Sequence, residues 1–307
     1  MIITTLLFLL VYTIYTSSIP LPDVVNHVDD HITVGFSQIE TDNPWRTTQI
    51  NSFREAFGPS NIEFIYHEQE DITKLIREKV DYLVIVPADL DALVPALESA
   101  KEAGIPVILI EQSADTIDRD LYMSRISADY LREGAICAQL LAEKYAGRSC
   151  NIVEIYGTES SPSAKARSKG FHQALKNYPQ LHIIDTEYGN FDRVTAQKAM
   201  ENALVKTSDS HKSVQAVFAH SDEDGLGALQ AIKTAGLSPN DISIVSINGI
   251  QDVCKAIIAG EYLGTVESNP KWGFIVETLI NQRERGYTPF PTVIIPYNII
   301  TEANAVS

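Results

Sequence analysis

The chain has no run of Lys or Arg, and its 24 basic residues face 40 acidic ones for a net charge of −16. A nucleic-acid binder needs a basic face to displace counterions, so this balance argues against that class. Cysteine is scarce. Cys137, Cys150 and Cys254 are an odd count, too few for a disulfide scaffold, and none sits in a C-x-x-C pair. The seven histidines are scattered, without zinc or haem spacing. No G-x-G-x-x-G or G-K-[ST] phosphate loop occurs, and Asp224-Gly225-Leu226-Gly227 reads as helix packing. No Asn-x-Ser/Thr acceptor is present. No nucleophile–base pattern, metal pair or cofactor fingerprint stands out, so no cofactor and no enzymatic step are expected.

Long uncharged stretches are equally rare. Residues 1–18 carry no charged side chain, and their apolar run Ile2–Tyr15 falls short of the roughly 20 residues of a membrane span. Small residues Thr16, Ser17 and Ser18 follow, then Ile19-Pro20. This reads as a secretory signal ending near Ser18, although it lacks a basic front end. An uncleaved anchor or a misassigned start are the alternatives. Residues 19–31 read as a polar tail. A periplasmic or secreted protein is the expectation.

What the chain does have is ordinary globular composition, 45% apolar and 21% charged, in 307 residues that leave room for two domains. Strand-like runs at Ile32–Gln38, Ile62–His67, Asp81–Pro87 and Pro106–Ile110 alternate with helical patterns. A second alternating series starts after Asp129, with a helix expected over Gly225–Ala235 and a final strand over Val293–Ile300. Continuous β-branched runs suit strands covered on both faces, and strict alternation means parallel, doubly wound sheets. Two such series suggest two like lobes with a ligand cleft between them. In open α/β sheets the ligand lies beyond the carboxyl ends of the strands.

The residues at those ends are Gln38, Trp45-Arg46, Glu111-Gln112, Asp129, Arg167, Phe191, Ser221, Asn248 and Glu267. Aromatic rings pack on the apolar faces of a sugar, while carboxylates, amides and guanidinium groups bridge adjacent hydroxyls. Several of these residues also have a plainer reading. Trp45 and Phe191 would serve as core, Arg167 as part of a solvated helix face, and Asp129 as a helix N-cap. Asn248 would serve turn geometry, and Glu267 the hinge alone. His220, ending an apolar strand, reads as structural.

Together these residues carry a resemblance. Val34-Gly35-Phe36-Ser37-Gln38, Trp45-Arg46, Ala100 to Val107, Leu121-Tyr122-Met123 and Ser127-Ala128-Asp129 appear in order. Arg167 to Phe171, Asn190-Phe191-Asp192-Arg193, Ala219-His220-Ser221-Asp222, Ala231 to Leu237 and Ser246-Ile247-Asn248-Gly249 follow. From Ile32 to Ile300 the chain resembles type I periplasmic sugar-binding proteins of ABC importers, of the ribose, galactose and galactofuranose kind. The resemblance implies an α/β fold of two Rossmann-like lobes with three interlobe crossings and a ligand cleft. The first lobe would span 32–127 plus 268–290, the second 128–267 plus 291–307. Crossings would fall near Ser127–Asp129, Glu267–Ser268 and Phe290–Pro291.

By position, Trp45 and Phe191 would stack on a monosaccharide from opposite lobes. Gln38, Arg46 and Glu111 would contact it from the first lobe, and Asp129, Arg167, Ser221, Asn248 and Glu267 from the hinge and second lobe. The implied partners are that sugar and the permease of an importer, to which the captured sugar would be delivered; a sensor presenting the sugar to a membrane receptor, or a sensor domain of the transcription-regulator type, are the alternatives, and a monomer is expected. Three places depart from the family pattern. Glu111-Gln112 stands where Asp-Arg is usual, so Gln112 replaces an arginine. Ser221 stands for Asn, and Asn248 for Asp. The helix at Ile72–Lys79 is also about two turns short.

Overall fold

The structure, a computed structural model, describes residues 31–38, 44–68, 72–87, 90–110, 117–210 and 212–306. The expected signal, residues 19–30 of the expected tail, Glu111 and Gln112 lie outside the described residues.

Two six-stranded sheets organise the chain. In the first, β1 (Ile32–Gln38), β2 (Ile62–Glu68), β3 (Tyr82–Val86), β4 (Val107–Ile110) and β5 (Ser124–Ala128) alternate with α1 (Pro44–Phe57), α2 (Ile72–Arg77) and α3 (Leu90–Glu102). In the second, α4 (Tyr130–Tyr145), β6 (Cys150–Tyr156), α5 (Pro162–Leu175), β7 (Leu181–Tyr188) and α6 (Arg193–Asp209) come first. Then follow β8 (Ala216–Ala219), α7 (Asp222–Thr234), β9 (Ser243–Asn248), α8 (Gln251–Ile258) and β10 (Gly264–Glu267). Helix α9 (Gly273–Glu284) and strands β11 (Thr292–Ile295) and β12 (Ile299–Thr301) complete the chain.

The strand orders are β11-β5-β4-β3-β1-β2 and β12-β10-β9-β8-β6-β7. Each sheet therefore reverses its winding direction at one strand, β1 in the first and β6 in the second. The crevice at the carboxyl ends of those strands is where such sheets hold ligands. Both faces of each sheet are covered. Val34, Phe36, Val84 and Ile108 face one apolar cluster, and Leu83, Ile85, Val107 and Leu109 face another. The second sheet does the same with Val153, Ile155 and Val217 on one side and Ile152, Phe218 and Val245 on the other. Two-faced burial is why strands such as β3 read as unbroken apolar runs. Cys137, Cys150 and Cys254 are buried free thiols.

The end of the chain differs from expectation. The strand expected over Val293–Ile300 is two strands split at Pro296. Thr292–Ile295 pairs in parallel with Arg125–Ala128 of the first sheet, and Ile299–Thr301 pairs antiparallel with Gly264–Val266 of the second. Proline lacks the N–H a ladder needs and fixes φ, so it ends one strand and frees the chain to turn into the other. The third crossing thus follows Ile295, not Phe290–Pro291, and the expectation that 291–307 lies wholly in the second lobe is corrected by one strand. The second sheet also carries an antiparallel edge, so it is not purely parallel. Helix α7 begins at Asp222, three residues before the expected Gly225. The Ser221 side chain caps it, and Asp222, Glu223 and Asp224 place negative charge in its first turn, where the helix dipole favours it.

Candidate functional site

Gln38 ends β1 and is 1% exposed. Pro44 opens α1, a position suited to proline's fixed φ, and sets Trp45 and Arg46 in the first turn. The Trp45 indole Nε1–H donates to the Ser268 carbonyl at 2.7 Å. Its ring stands edge-on to buried Trp272, centroids 5.9 Å apart at 89°. The Arg46 guanidinium lies 5.2 Å from the Trp45 ring centre, and its Nη1 donates to Gln49 Oε1 at 3.3 Å. Trp45 is half-buried and packed on the core at one edge, as the core reading expects.

Arg167 comes from α5, which lies unusually close to α4. A Cβ added at Gly134 would sit 1.9 Å from the Arg167 carbonyl oxygen, and one at Gly170 would sit 1.9 Å from that of Leu131. Two glycines thus let the helix backbones touch and carry Arg167 into the interior, 5% exposed. Its Nε donates to Glu133 Oε2 at 2.9 Å, its Nη1 to the His220 carbonyl at 2.9 Å and its Nη2 to Ser268 Oγ at 3.4 Å. The guanidinium also lies 5.2 Å from the Tyr130 ring centre. A guanidinium carries five N–H donors, so two remain beyond these bonds among the described residues. Burial pushes the Glu133 carboxyl up and Arg167 pulls it part of the way back. The solvated-face reading of Arg167 is overturned.

Phe191 follows β7. It and Asn190 hold left-handed backbone, φ 60° and 57°. This is uncommon for non-glycine residues and costs of order 1–3 kcal/mol each. The Phe191 N–H donates to buried Asp224 Oδ1 at 3.0 Å, which fixes the turn. The ring covers Gly157 at the end of β6, where a Cβ would lie 2.2 Å from it. Burial pushes the Asp224 carboxyl well up, while the Ser221 hydroxyl, the Phe191 N–H and the charge of Arg167 act downward.

Ser221 is placed differently from a ligand contact. Its hydroxyl donates to Asp224 Oδ2 at 2.7 Å and accepts from the Asp224 N–H at 3.1 Å, so both functions serve the helix N-terminus. Asp129 caps α4 by accepting the Arg132 N–H at 2.9 Å and keeps an exposed side chain. Asn248, at φ 142°, and Gly249, at φ 79°, form the turn after β9. Buried Asp222 anchors that turn by accepting the Ile250 N–H at 2.7 Å and the Thr265 hydroxyl at 2.7 Å, with Ser246 bonded to the same carboxylate. Glu267 accepts from Asn298 Nδ2 at 2.5 Å, which ties the second crossing to the third.

Beneath the second-lobe residues runs a polar line. Glu154, 1% exposed on β6, accepts from half-exposed His172 at 2.9 Å and from fully buried His220 at 3.0 Å. The structural reading of His220 fits this burial. Burial pushes the Glu154 carboxyl up, but the bonds from His172 and His220 outweigh it and bring it down to about 2. A carboxyl whose folded pKa is depressed stabilises above its ordinary value and loses that stabilisation as pH falls toward the folded one. Between pH 4.5 and about 2 the melting temperature of the unmodified protein is therefore expected to fall more steeply than that of Glu154→Gln. Equal slopes in a calorimetric pH series would refute this.

Glu133, Asp222, Asp224, Asn298 and above all Ser268 carry no site role in the strand-end pattern, although Asp222 stands at a strand end and Ser268 at a crossing. Glu133 offered one signal, a carboxylate on the apolar face of α4 beside Gly134 and Ile136. Ser268 offered only its place at a crossing.

Comparison with known proteins bears on the fold and the site together. A family model described as a periplasmic binding protein domain matches residues 34–275. The chain belongs to the periplasmic binding protein family. Among curated relatives of this family, it is 36% identical over 248 residues to the galactofuranose-binding protein YtfQ of Escherichia coli, covering 78% of each chain. It is 31% identical over 204 residues to the ribose import binding protein RbsB of Bacillus subtilis, covering 66% of this chain and 63% of the relative. A crystal structure of a galactofuranose binding protein superposes with a TM-score of 0.83 at 31% identity, covering 89% of this chain and 96% of that one. The arabinose-transporter binding protein of Shewanella sp. ANA-3, bound to L-arabinofuranose, superposes equally well at 0.83 and 31%, covering 89% and 93%. All four of these proteins are named for a sugar, and two of them, the Bacillus subtilis and Shewanella proteins, also for its import or transport. Among its described residues no helix is long and apolar enough to cross a membrane.

Proposed function

We propose that this periplasmic binding protein captures a monosaccharide in furanose form between its lobes, without chemical change, and delivers it to an ABC importer as a monomer from a periplasmic or secreted location. The observation that carries the reading is that Trp45 and Arg167 are both bonded to Ser268 at the second crossing, with Arg46 beside Trp45 and the Phe191 ring over Gly157 at the end of β6. Trp45 and Arg46 come from the first lobe, and Phe191 and Arg167 from the second. Flat rings suit the apolar faces of a sugar, and the two remaining Arg167 N–H groups suit its hydroxyls. Names of relatives that bind galactofuranose and arabinofuranose support the five-membered ring. Asp129, Asn248 and Glu267 would face the ligand from the hinge side.

A ligand that bridges both lobes favours the closed form and raises the melting temperature by mass action. Thermal shift and calorimetric titration with methyl β-D-galactofuranoside, methyl L-arabinofuranosides, D-galactose, L-arabinose and D-ribose test this. At least one furanose is expected to bind, and Trp45→Ala and Phe191→Ala each to weaken it about tenfold or more. A folded protein that binds none of the panel would overturn the reading.

A further inference from the structure

Ser268 follows β10 at the second crossing and is 2% exposed. All three of its polar groups are engaged, each by a residue that the family resemblance implies for the ligand. Its N–H donates to the Asn248 carbonyl at 3.2 Å. Its carbonyl accepts the Trp45 indole N–H at 2.7 Å, and its hydroxyl oxygen accepts from Arg167 Nη2 at 3.4 Å. Trp45 belongs to the first lobe, Arg167 and Asn248 to the second. The same hydroxyl acts on the other half of the buried ion pair, favouring the charged form of Glu133. One small residue at the crossing therefore holds the Trp45 indole from one side and the Arg167 guanidinium from the other.

We propose that Ser268 is a positioning residue that couples the two halves of the sugar site. An indole and a guanidinium are large, and each is free to rotate when unattached. Bonded to one residue, they share one frame, so the distance and tilt between ring face and cation are set before the ligand arrives. Binding then loses less side-chain freedom, which is how pre-organisation raises affinity. The hydroxyl is essential to this. An apolar replacement leaves a buried Arg167 N–H without its acceptor and cuts the second-lobe half of the link. The consequence for affinity rests on the proposed sugar-binding function, whereas the coupling itself is a property of the ligand-free protein.

The chain holds two tryptophans, so Trp45→Phe assigns the two indole N–H signals in a ¹⁵N spectrum directly. In ligand-free protein, Ser268→Ala is expected to shift the Trp45 indole signal, and Ser268→Thr, which keeps the hydroxyl, to restore it. Arg167→Lys is expected to shift that signal in the unmodified protein but not in the Ser268→Ala background. A merely structural Arg167 would act the same in both. An indole signal indifferent to Ser268→Ala, or an Arg167→Lys effect that persists without the hydroxyl, overturns the coupling. Linkage is reciprocal, so should Ser268→Ala fail to fold, Trp45→Phe must shift the Arg167 Nε–H signal, and an unmoved signal is equally fatal. With methyl β-D-galactofuranoside as probe, or the best furanoside of the panel, Ser268→Ala is expected to weaken binding about tenfold. Unchanged affinity alongside a shifted indole overturns the affinity consequence. If no furanoside binds the unmodified protein, the functional reading fails while the indole measurements still decide the coupling.

Discussion

Glu133→Ala is expected to lower the melting temperature by roughly 6–20 °C, and by more than Arg167→Ala does. Glu133 and Arg167 are 1% and 5% exposed, and their charges meet at 2.9 Å. Removing one partner of a buried pair costs about 3–5 kcal/mol, because the other charge stays in the interior alone. For a chain of this size each kcal/mol moves the midpoint by about 2–4 °C. The two losses are unequal for a chemical reason. A carboxyl left alone can take up a proton, and burial already pushes the Glu133 carboxyl up. A guanidinium cannot shed its charge in a protein.

The sign of the pH effect follows. Without Arg167 the Glu133 pKa rises further above its unfolded value. A raised carboxyl stabilises fully below the unfolded value and loses that contribution as pH rises. Arg167→Ala should therefore regain stability on acidification toward pH 4–5, and Glu133→Ala should not. The double variant Glu133→Leu/Arg167→Met replaces the pair by apolar groups of similar size and is expected to recover most of the stability without sugar binding. Differential scanning calorimetry of the three variants across pH 4–8 checks the set. A Glu133→Ala protein as stable as the unmodified one would remove the pair from the account.

Gly134→Ala and Gly170→Ala are expected to act as strongly, through geometry instead of charge. Each added methyl carbon would lie 1.9 Å from a backbone carbonyl oxygen of the facing helix. No flexible side chain is there to give way, so α4 and α5 must separate. Overpacking costs about 1–3 kcal/mol when neighbours can adjust, and here the contact is with backbone. Separation also draws Arg167 away from Glu133, so the losses compound, and both stability and ligand binding should fall together. Gly236→Ala is the control. There φ is +70° and nothing lies within 4 Å, so only backbone strain of about 1 kcal/mol is at stake. Equal melting temperatures for Gly134→Ala and Gly236→Ala would show that the helices tolerate the extra carbon.

Much of the fold was legible because the relevant forces are local. Tyr82–Val86 reads as a buried strand since every side chain in it is apolar and β-sheet-compatible. Alternation with helices then forces parallel pairing. The third crossing was not legible at Phe290–Pro291, because residues 293–300 are apolar throughout except at Pro296, Tyr297 and Asn298. Which sheet each half joins depends on which edge is open, β5 or β10, and no local pattern records that. Similarly, Ser221 sits at the strand end where a ligand residue is expected, yet its hydroxyl is taken by Asp224, three residues along its own helix.

The sequence by itself determined the two α/β series, the place of Gln38 at the end of a strand, and the resemblance that the family match then showed. These follow from periodicity and from residue types read in order. Tertiary structure alone decided how the candidate site residues are held. Gly134 and Gly170 bring two helices into backbone contact, Asp224 fixes the turn under Phe191, and Ser268 meets Trp45 across 223 positions and Arg167 across 101. Such contacts are set by where sheets and helices pack, so residues far apart in the chain become neighbours without any local pattern to announce it.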